Sequence, residues 1–253
     1  MKIYVCIKHV PNTAAKITLD GSTSYDESVK FVVNPYDEFA LEEALKIAGA
    51  DGEVVLVCVG KEAAVSTMRS ALAMGAHRGI LVKVSDQFVA SGVAAQAIVK
   101  AIQQDGEPDL VLCGKQSVDS EGMQTHYRIA KGLDLPVISE VAALTINDGA
   151  AVVERELEGG SREVISVSLP CVIGATKGLN EPRYPKLPDI LKAKKKEIKQ
   201  IELSELDIDT AGKTTVTNLE SSPERGAAKM ITGEPRAMAE ELVDLLINEA
   251  KVL

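Results

Sequence analysis

Four short apolar runs, at Ile3–Ile7, Val54–Val59, Gly79–Val84 and Leu110–Cys113, punctuate the first half of the chain. They are rich in Val and Ile and mostly do not alternate apolar with polar residues. That is the pattern of strands covered on both faces of a parallel sheet. A parallel sheet needs crossover connections, and helical segments stand between the runs. Asn34 is a good N-cap, Pro35 suits the first helical position, and Asp37 and Glu38 favour the positive end of the helix dipole. Phe39, Leu41, Ala44, Leu45 and Ala48 then share one face. A second helix is expected over Glu62–Met74, with Gly75 as its C-terminal cap. A third is expected over Val93–Gln104, and a fourth over Glu121–Leu133 behind Asp119 or Ser120. Strand–helix alternation with short connections implies an α/β fold built on a Rossmann-like parallel sheet with right-handed crossovers.

The rhythm changes in the second half. Glu158-Gly159-Gly160-Ser161 reads as a β-hairpin turn between two apolar strands. After Pro188 the chain becomes charged, then polar from 200 to 235, and ends in an amphipathic helix over Pro235–Val252. The expected division is an α/β domain over residues 1–190 and a C-terminal arm over 191–253. Such an arm needs a surface on which to bury its apolar face.

The 253 residues can bury a full core. The net charge of −9, the absence of Trp and the scarcity of aromatic residues argue against nucleic acid, which calls for a basic face and stacking rings. No run of about eighteen apolar residues spans a membrane. The N-terminus, MKIYVCIKHV, reads as a first strand rather than a signal peptide. Cys6, Cys58, Cys113 and Cys171 each lie in an apolar run with no CxxC spacing, as expected of buried reduced thiols in a cytoplasmic protein.

The chain carries none of GxGxxG after the first strand, GxxxxGK[ST], GxSxG and HExxH. His9, His77 and His126 have no metal-type spacing and read as surface or strand-end histidines. What remains suits binding. Ligands of open parallel sheets lie beyond the carboxyl ends of the strands. Three segments follow strands there: Cys6–Val10, Val59-Gly60 and Gly114–Thr125. The last has Gly114 and Gly122 for close backbone approach, hydroxyls on Ser117, Ser120 and Thr125, and a helix start that suits a phosphate. An ordinary capped loop would look the same.

The stretch Leu179–Lys199, LNEPRYPKLPDILKAKKKEIK, holds Pro182, Pro185 and Pro188 and then a lysine cluster. Proline fixes φ and removes a donor, so Pro182–Pro188 is a stiffened loop rather than a helix interior or central strand. It carries Leu187, which either folds back onto the core or is offered to a partner.

This stretch resembles the partner-recognition loop of electron-transfer flavoprotein beta subunits. VERELEGGSREVISVSLPCVIG at Val153–Gly174 is similar to that family's signature. NPYDEFALEEAL at Asn34–Leu45, ALAMGAHRG at Ala71–Gly79 and LCGKQSVD at Leu112–Asp119 are also similar, in the family's order. The resemblance implies an adenine nucleotide held by Cys6, by Asn34, Pro35, Tyr36 and Asp37, and by Val59. It also implies contacts from Gly114, Lys115, Gln116, Ser117, Val118, Asp119, Ser120, Glu121, Gly122, Met123, Gln124 and Thr125. In most of the family the nucleotide is a structural AMP. In electron-bifurcating members it is a second FAD, with NADH as donor. Gln124-Thr125 is similar to the AMP-type loop, with His126 where the family carries glycine.

The resemblance further implies a heterodimer with an alpha subunit that holds the main FAD. The chain would then be an electron carrier rather than an enzyme in its own right. Electrons would come from acyl-CoA dehydrogenases or related flavoenzymes, docked at Leu187, and go to a quinone oxidoreductase or another acceptor. Two rivals differ in class. A PP-loop-type adenylating enzyme would need a Ser-Gly-Gly-rich loop where this chain has His9-Val-Pro-Asn-Thr. A stand-alone adenine-nucleotide-sensing domain would be shorter and lack the Pro-rich loop.

Overall fold

The computed structural model describes residues 1–211, 214–222 and 226–253. It forms two units, Met1–Leu219 and Glu220–Leu253. In chain order the first unit contains β1 (Lys2–Cys6), β2 (His9–Pro11), β3 (Leu19–Asp20), β4 (Ser24–Tyr25), β5 (Phe31–Val33), α1 (Pro35–Ala48), β6 (Glu53–Gly60), α2 (Ala64–Met74), β7 (Arg78–Lys83) and α3 (Ser91–Asp105). It continues with β8 (Leu110–Gly114), α4 (Thr125–Leu133), β9 (Val137–Asn147), β10 (Ala150–Glu156), β11 (Arg162–Ser168), β12 (Cys171–Ala175), α5 (Leu187–Ala193) and β13 (Ile198–Glu202).

Nine strands make one sheet in the order β11-β10-β9-β12-β8-β1-β6-β7-β13. From β9 through β12 to β13 neighbouring strands are parallel, and β10 and β11 extend the sheet as antiparallel partners. The period of two sorts the core. Ile3 and Val5 face Leu41 and Met68 on the α1/α2 side, while Tyr4 and Cys6 face Ile98, Ile102 and Ile129 on the α3/α4 side. Burying both faces explains why these strands read as unbroken apolar runs. Each buried Leu or Ile contributes about 1.5–3 kcal/mol.

The α/β architecture, the hairpin turn and the apolar face of α1 match the sequence expectations. The boundary expected near residue 190 falls inside the first unit. β13 pairs in parallel with β7, through Ile198↔Gly79 to Glu202↔Lys83. Only Ile201 of this edge strand is fully buried; its outer residues are Lys199, Gln200 and Glu202. That charged pattern hides it from a search for apolar runs. Arg69 Nη1 donates to the carbonyls of Ala193 (2.7 Å) and Lys196, which ties the approach to β13 onto α2.

β9 was also illegible as a strand. Its pairing with β12 slips, with Ile173 opposite Ile138 but Ala175 opposite Val141. Three steps along β9 match two along β12, and Glu140 sits in the bulge at φ +60°.

The second unit carries α6 (Pro235–Asn248). Leu242, Val243 and Ile247 are about half exposed on it. Among the described residues no helix is long and apolar enough to cross a membrane, and no cluster of three or more His, Cys, Asp or Glu could hold a metal ion.

Candidate nucleotide crevice

β1 lies between β6 and β8. The chain leaves β1 towards β6 and β7 on one side, then returns to β8 on the other. The crevice beyond the carboxyl ends of β1 and β8 is therefore the topological switch point.

Asp37, in the first turn of α1, joins the two strand ends. Its Oδ2 accepts the Lys8 N–H at 2.7 Å. Its Oδ1 accepts the Gly114 N–H at 3.1 Å and the Asn34 side-chain amide at 2.9 Å. Burial pushes this carboxyl up to about 7, against the hydrogen bonds from Asn34, Lys8 and Gly114, which favour its charged form.

Asn34 does occupy the cap position, but its side chain caps nothing. It clamps the loop after β8 instead. Nδ2 donates to the Gln116 carbonyl at 2.8 Å, and Oδ1 accepts the Val118 N–H at 3.1 Å. Within the loop the Ser117 and Ser120 hydroxyls lie 2.8 Å apart. Lys8 Nζ reaches Asp119 at 2.8 Å and Ser117 Oγ at 3.3 Å. Lys115 Nζ stands 5.7 Å from the Tyr36 ring centroid and 3.4 Å from Glu140.

The expected fourth helix starts later than Glu121, at Thr125. Glu121 and Met123 both have φ +49°, a left-handed conformation that cannot continue into a right-handed helix. Gly122, between them, faces open space. Gln124 Oε1 accepts from Arg128 at 2.8 Å and from the Ser91 hydroxyl at 3.4 Å, so it engages α3 and α4 rather than the clamp.

The structure thus brings together Asn34, Asp37 and the loop from Gly114 to Ser120, with Pro35 and Tyr36 in the same turn. Cys6 ends β1 in register with Cys113. Val59 lies two residues beyond Val57, the β6 partner of Cys6. Glu121 to Thr125 form the outer limb, which leads to the start of α4.

Lys8 lies inside the expected Cys6–Val10 segment, though its reach to Asp119 and Ser117 was not foreseen. Two further residues escaped the sequence reading. Glu140 could not have been found, because its role depends on the bulge. His126 departs from a surface or strand-end histidine. It is 1% exposed, and burial holds its imidazole neutral, with a pKa lowered to about 4.

The proline segment is a loop as far as Lys186, and Leu187 then opens the short α5 with Pro188 in its first turn. Leu187 is 70% exposed and Tyr184 94% exposed, so neither packs into the core.

All four cysteines are free and buried. The first N–H groups of α4 have no intrahelical acceptors. Lys8 Nζ and the Ser117 and Ser120 hydroxyls stand together in the crevice, and Lys8 is ion-paired there with Asp119.

A family profile described as electron transfer flavoprotein domain matches residues 23–206. The chain is 37% identical over 258 aligned positions to the electron transfer flavoprotein subunit beta of Bacillus subtilis, covering 100% of both. It is 36% identical to the corresponding subunit of Syntrophomonas wolfei, covering 100% of this chain and 98% of the relative. It is 37% identical to the mitochondrial subunit of Arabidopsis thaliana, with 100% of both covered. The chain belongs to the electron transfer flavoprotein beta subunit family.

Proposed function

We propose that this chain is the β half of a heterodimeric electron carrier of the cytoplasm, and that its crevice holds AMP as a structural ligand. The observation that carries this reading is the Asn34–Asp37 clamp. It fixes the loop after β8 against the ends of β1 and β8, with Lys8 and the loop hydroxyls beside it. A clamp of this kind preorganises donors for a phosphate without supplying an acid–base pair or nucleophile, which suits binding rather than turnover. AMP carries no redox chemistry; the FAD held mainly by the alpha subunit supplies the electron-carrying ring. The protein's part is orientation, shielding and docking.

Leu187, exposed on the rigid proline segment, is the proposed contact for acyl-CoA dehydrogenases or related flavoenzymes. A quinone oxidoreductase would take the electrons onward. The apolar face of α6 is proposed to pack on the alpha subunit.

The test is to co-express both subunits, purify the yellow heterodimer and count acid-released nucleotides by chromatography. One FAD and one AMP per heterodimer is expected. Two FAD and no AMP would overturn the simple-carrier reading in favour of an NADH-oxidising, bifurcating type. A stable colourless monomer indifferent to the alpha subunit would leave an adenine-nucleotide-sensing domain.

A further inference from the structure

The carboxyl ends of β1 and β8 carry a pair of thiols side by side. Cys6 and Cys113 are registered partners on adjacent parallel strands, so both side chains leave the sheet on the same face. Both belong to the buried cluster on the α3/α4 side of the sheet. Neighbouring strands lie about 4.8 Å apart, and disulfides span Cα separations of about 4.4–6.8 Å. The strand spacing therefore lies inside the Cα range that a disulfide spans.

The other two cysteines are placed differently. Cys58 is registered with Leu81 on β7, and Cys171 with Leu110 on β8. Both are fully buried, whereas Cys6 and Cys113 retain 7% and 5% exposure at the open end of the sheet. The same row continues to Gly174, the β12 partner of Cys113. The His126 ring lies against Gly174, with Cδ2 3.3 Å from where a Cβ would stand, and its buried Nε2 has no hydrogen-bond partner among the described residues. A neutral imidazole thus stands one strand away from Cys113 on the same face.

We propose that Cys6 and Cys113 are a reversible dithiol–disulfide couple at the switch point, oxidised by low-molecular-weight disulfides and shielded when the nucleotide is bound. The shielding rests on the nucleotide reading above; the couple does not. One cysteine thiolate attacks the small disulfide, forming a mixed disulfide and expelling one small thiolate. The second cysteine thiolate attacks the protein sulfur of that mixed disulfide and expels the other. The two cysteine protons end on the two small thiols. The protein dithiol loses two electrons and the small disulfide gains two.

The neighbouring Cys6 thiol and burial together hold the Cys113 thiol well above its ordinary pKa. Thiolate is scarce at neutral pH, so the exchange is slow and speeds up about tenfold per pH unit.

The experiment treats the heterodimer, stripped of nucleotide or supplied with excess AMP, with oxidised glutathione at pH 7 and pH 8. Samples are quenched with N-ethylmaleimide and digested for mass spectrometry. The expected product is a Cys6–Cys113 bridged peptide that forms about tenfold faster at pH 8 and is released by dithiothreitol. It should be missing from Cys6→Ser and Cys113→Ser. Recovery of both residues as separate alkylated thiols, as stable glutathione adducts, or bridged to Cys58 or Cys171 would overturn the couple. A bridge that forms equally fast with and without AMP keeps the couple and removes the shielding; AMP calorimetry on the same sample then judges the nucleotide reading separately.

Discussion

Arg183 forks onto Glu42, with Nε 2.7 Å from Oε2 and Nη2 2.9 Å from Oε1, while its backbone N–H reaches Oε2 at 3.2 Å. Asn180 adds bonds to the Phe39 carbonyl and to Glu43, both at 2.9 Å. These acceptors lie on α1, whose first turn builds the crevice. The proline segment and the crevice therefore hang on one helix.

Arg183→Ala should lower the melting temperature by the equivalent of about 1–3 kcal/mol, because it strands a buried carboxylate. Burial works to raise the Glu42 pKa, but the Arg183 hydrogen bonds win and hold it below the usual carboxylate range. For a depressed pKa the stabilisation is present above the unfolded value of about 4.3 and lost as pH falls through the folded one. Melts between pH 7 and pH 3.5 should show a smaller acid-induced loss in Arg183→Ala than in the parent. Equal losses would remove the ion pair as an acid-sensitive contact.

Asp37 has the opposite sign. Its folded pKa, raised to about 7, makes its contribution fullest below the unfolded value of about 4 and lost as pH rises through 7. Asp37→Asn does not titrate, and its amide would face the N–H groups of Lys8 and Gly114. The variant should be less stable overall, yet its melting temperature should vary less between pH 5 and pH 8. A parent-like pH slope in the variant would assign that slope to other groups.

Gly114 and Gly122 separate fold from binding. A Cβ on Gly114 would stand 2.7 Å from Tyr36 Cβ and 2.9 Å from the Tyr36 carbonyl carbon. Backbone cannot yield as a flexible side chain does, so Gly114→Ala should cost about 1–3 kcal/mol and weaken the proposed AMP binding as Asp37 is displaced. A Cβ on Gly122 meets nothing within 4 Å. Gly122→Ala should leave the melt unchanged and weaken AMP only if the nucleotide lies against that limb, which titration calorimetry reads directly.

Leu187→Ala should leave both melting temperature and nucleotide content unchanged, since an exposed side chain contributes within about 0.5 kcal/mol to stability. An anchor buried on docking contributes about 1.5–3 kcal/mol. Its loss should therefore raise the dissociation constant for the proposed dehydrogenase partner about tenfold or more in stopped-flow reduction. Unchanged transfer at all donor concentrations would remove Leu187 as the docking contact.

The parallel core was legible because β1, β6, β7 and β8 bury both faces and so carry unbroken Val/Ile runs. The strands at the margins were not. β13 shows charges to solvent, and β9 is interrupted by Ser139 and Glu140 at its bulge. In the crevice, glycine, serine and asparagine could be picked out by chemical type. Their roles could not, because Asn34 looks the same whether it caps its own helix or holds Gln116 and Val118, 82 and 84 residues away in the chain. The start of α4 was misplaced for a similar reason. Nothing local marks Glu121 and Met123 as left-handed, since neither is a glycine.

The lysine cluster after Leu187 is not one uniform field of charge. Lys196 turns its ammonium inward, onto the carbonyls of Leu72 (2.9 Å) and Ala76 (2.5 Å) at the end of α2, and burial lowers its pKa. Lys192, Lys194 and Lys195 stay exposed. A scan that neutralises these four positions one at a time should therefore split. The three outward residues would register as salt-dependent changes in association rate. Lys196 would register as a loosened helix end, felt at every ionic strength.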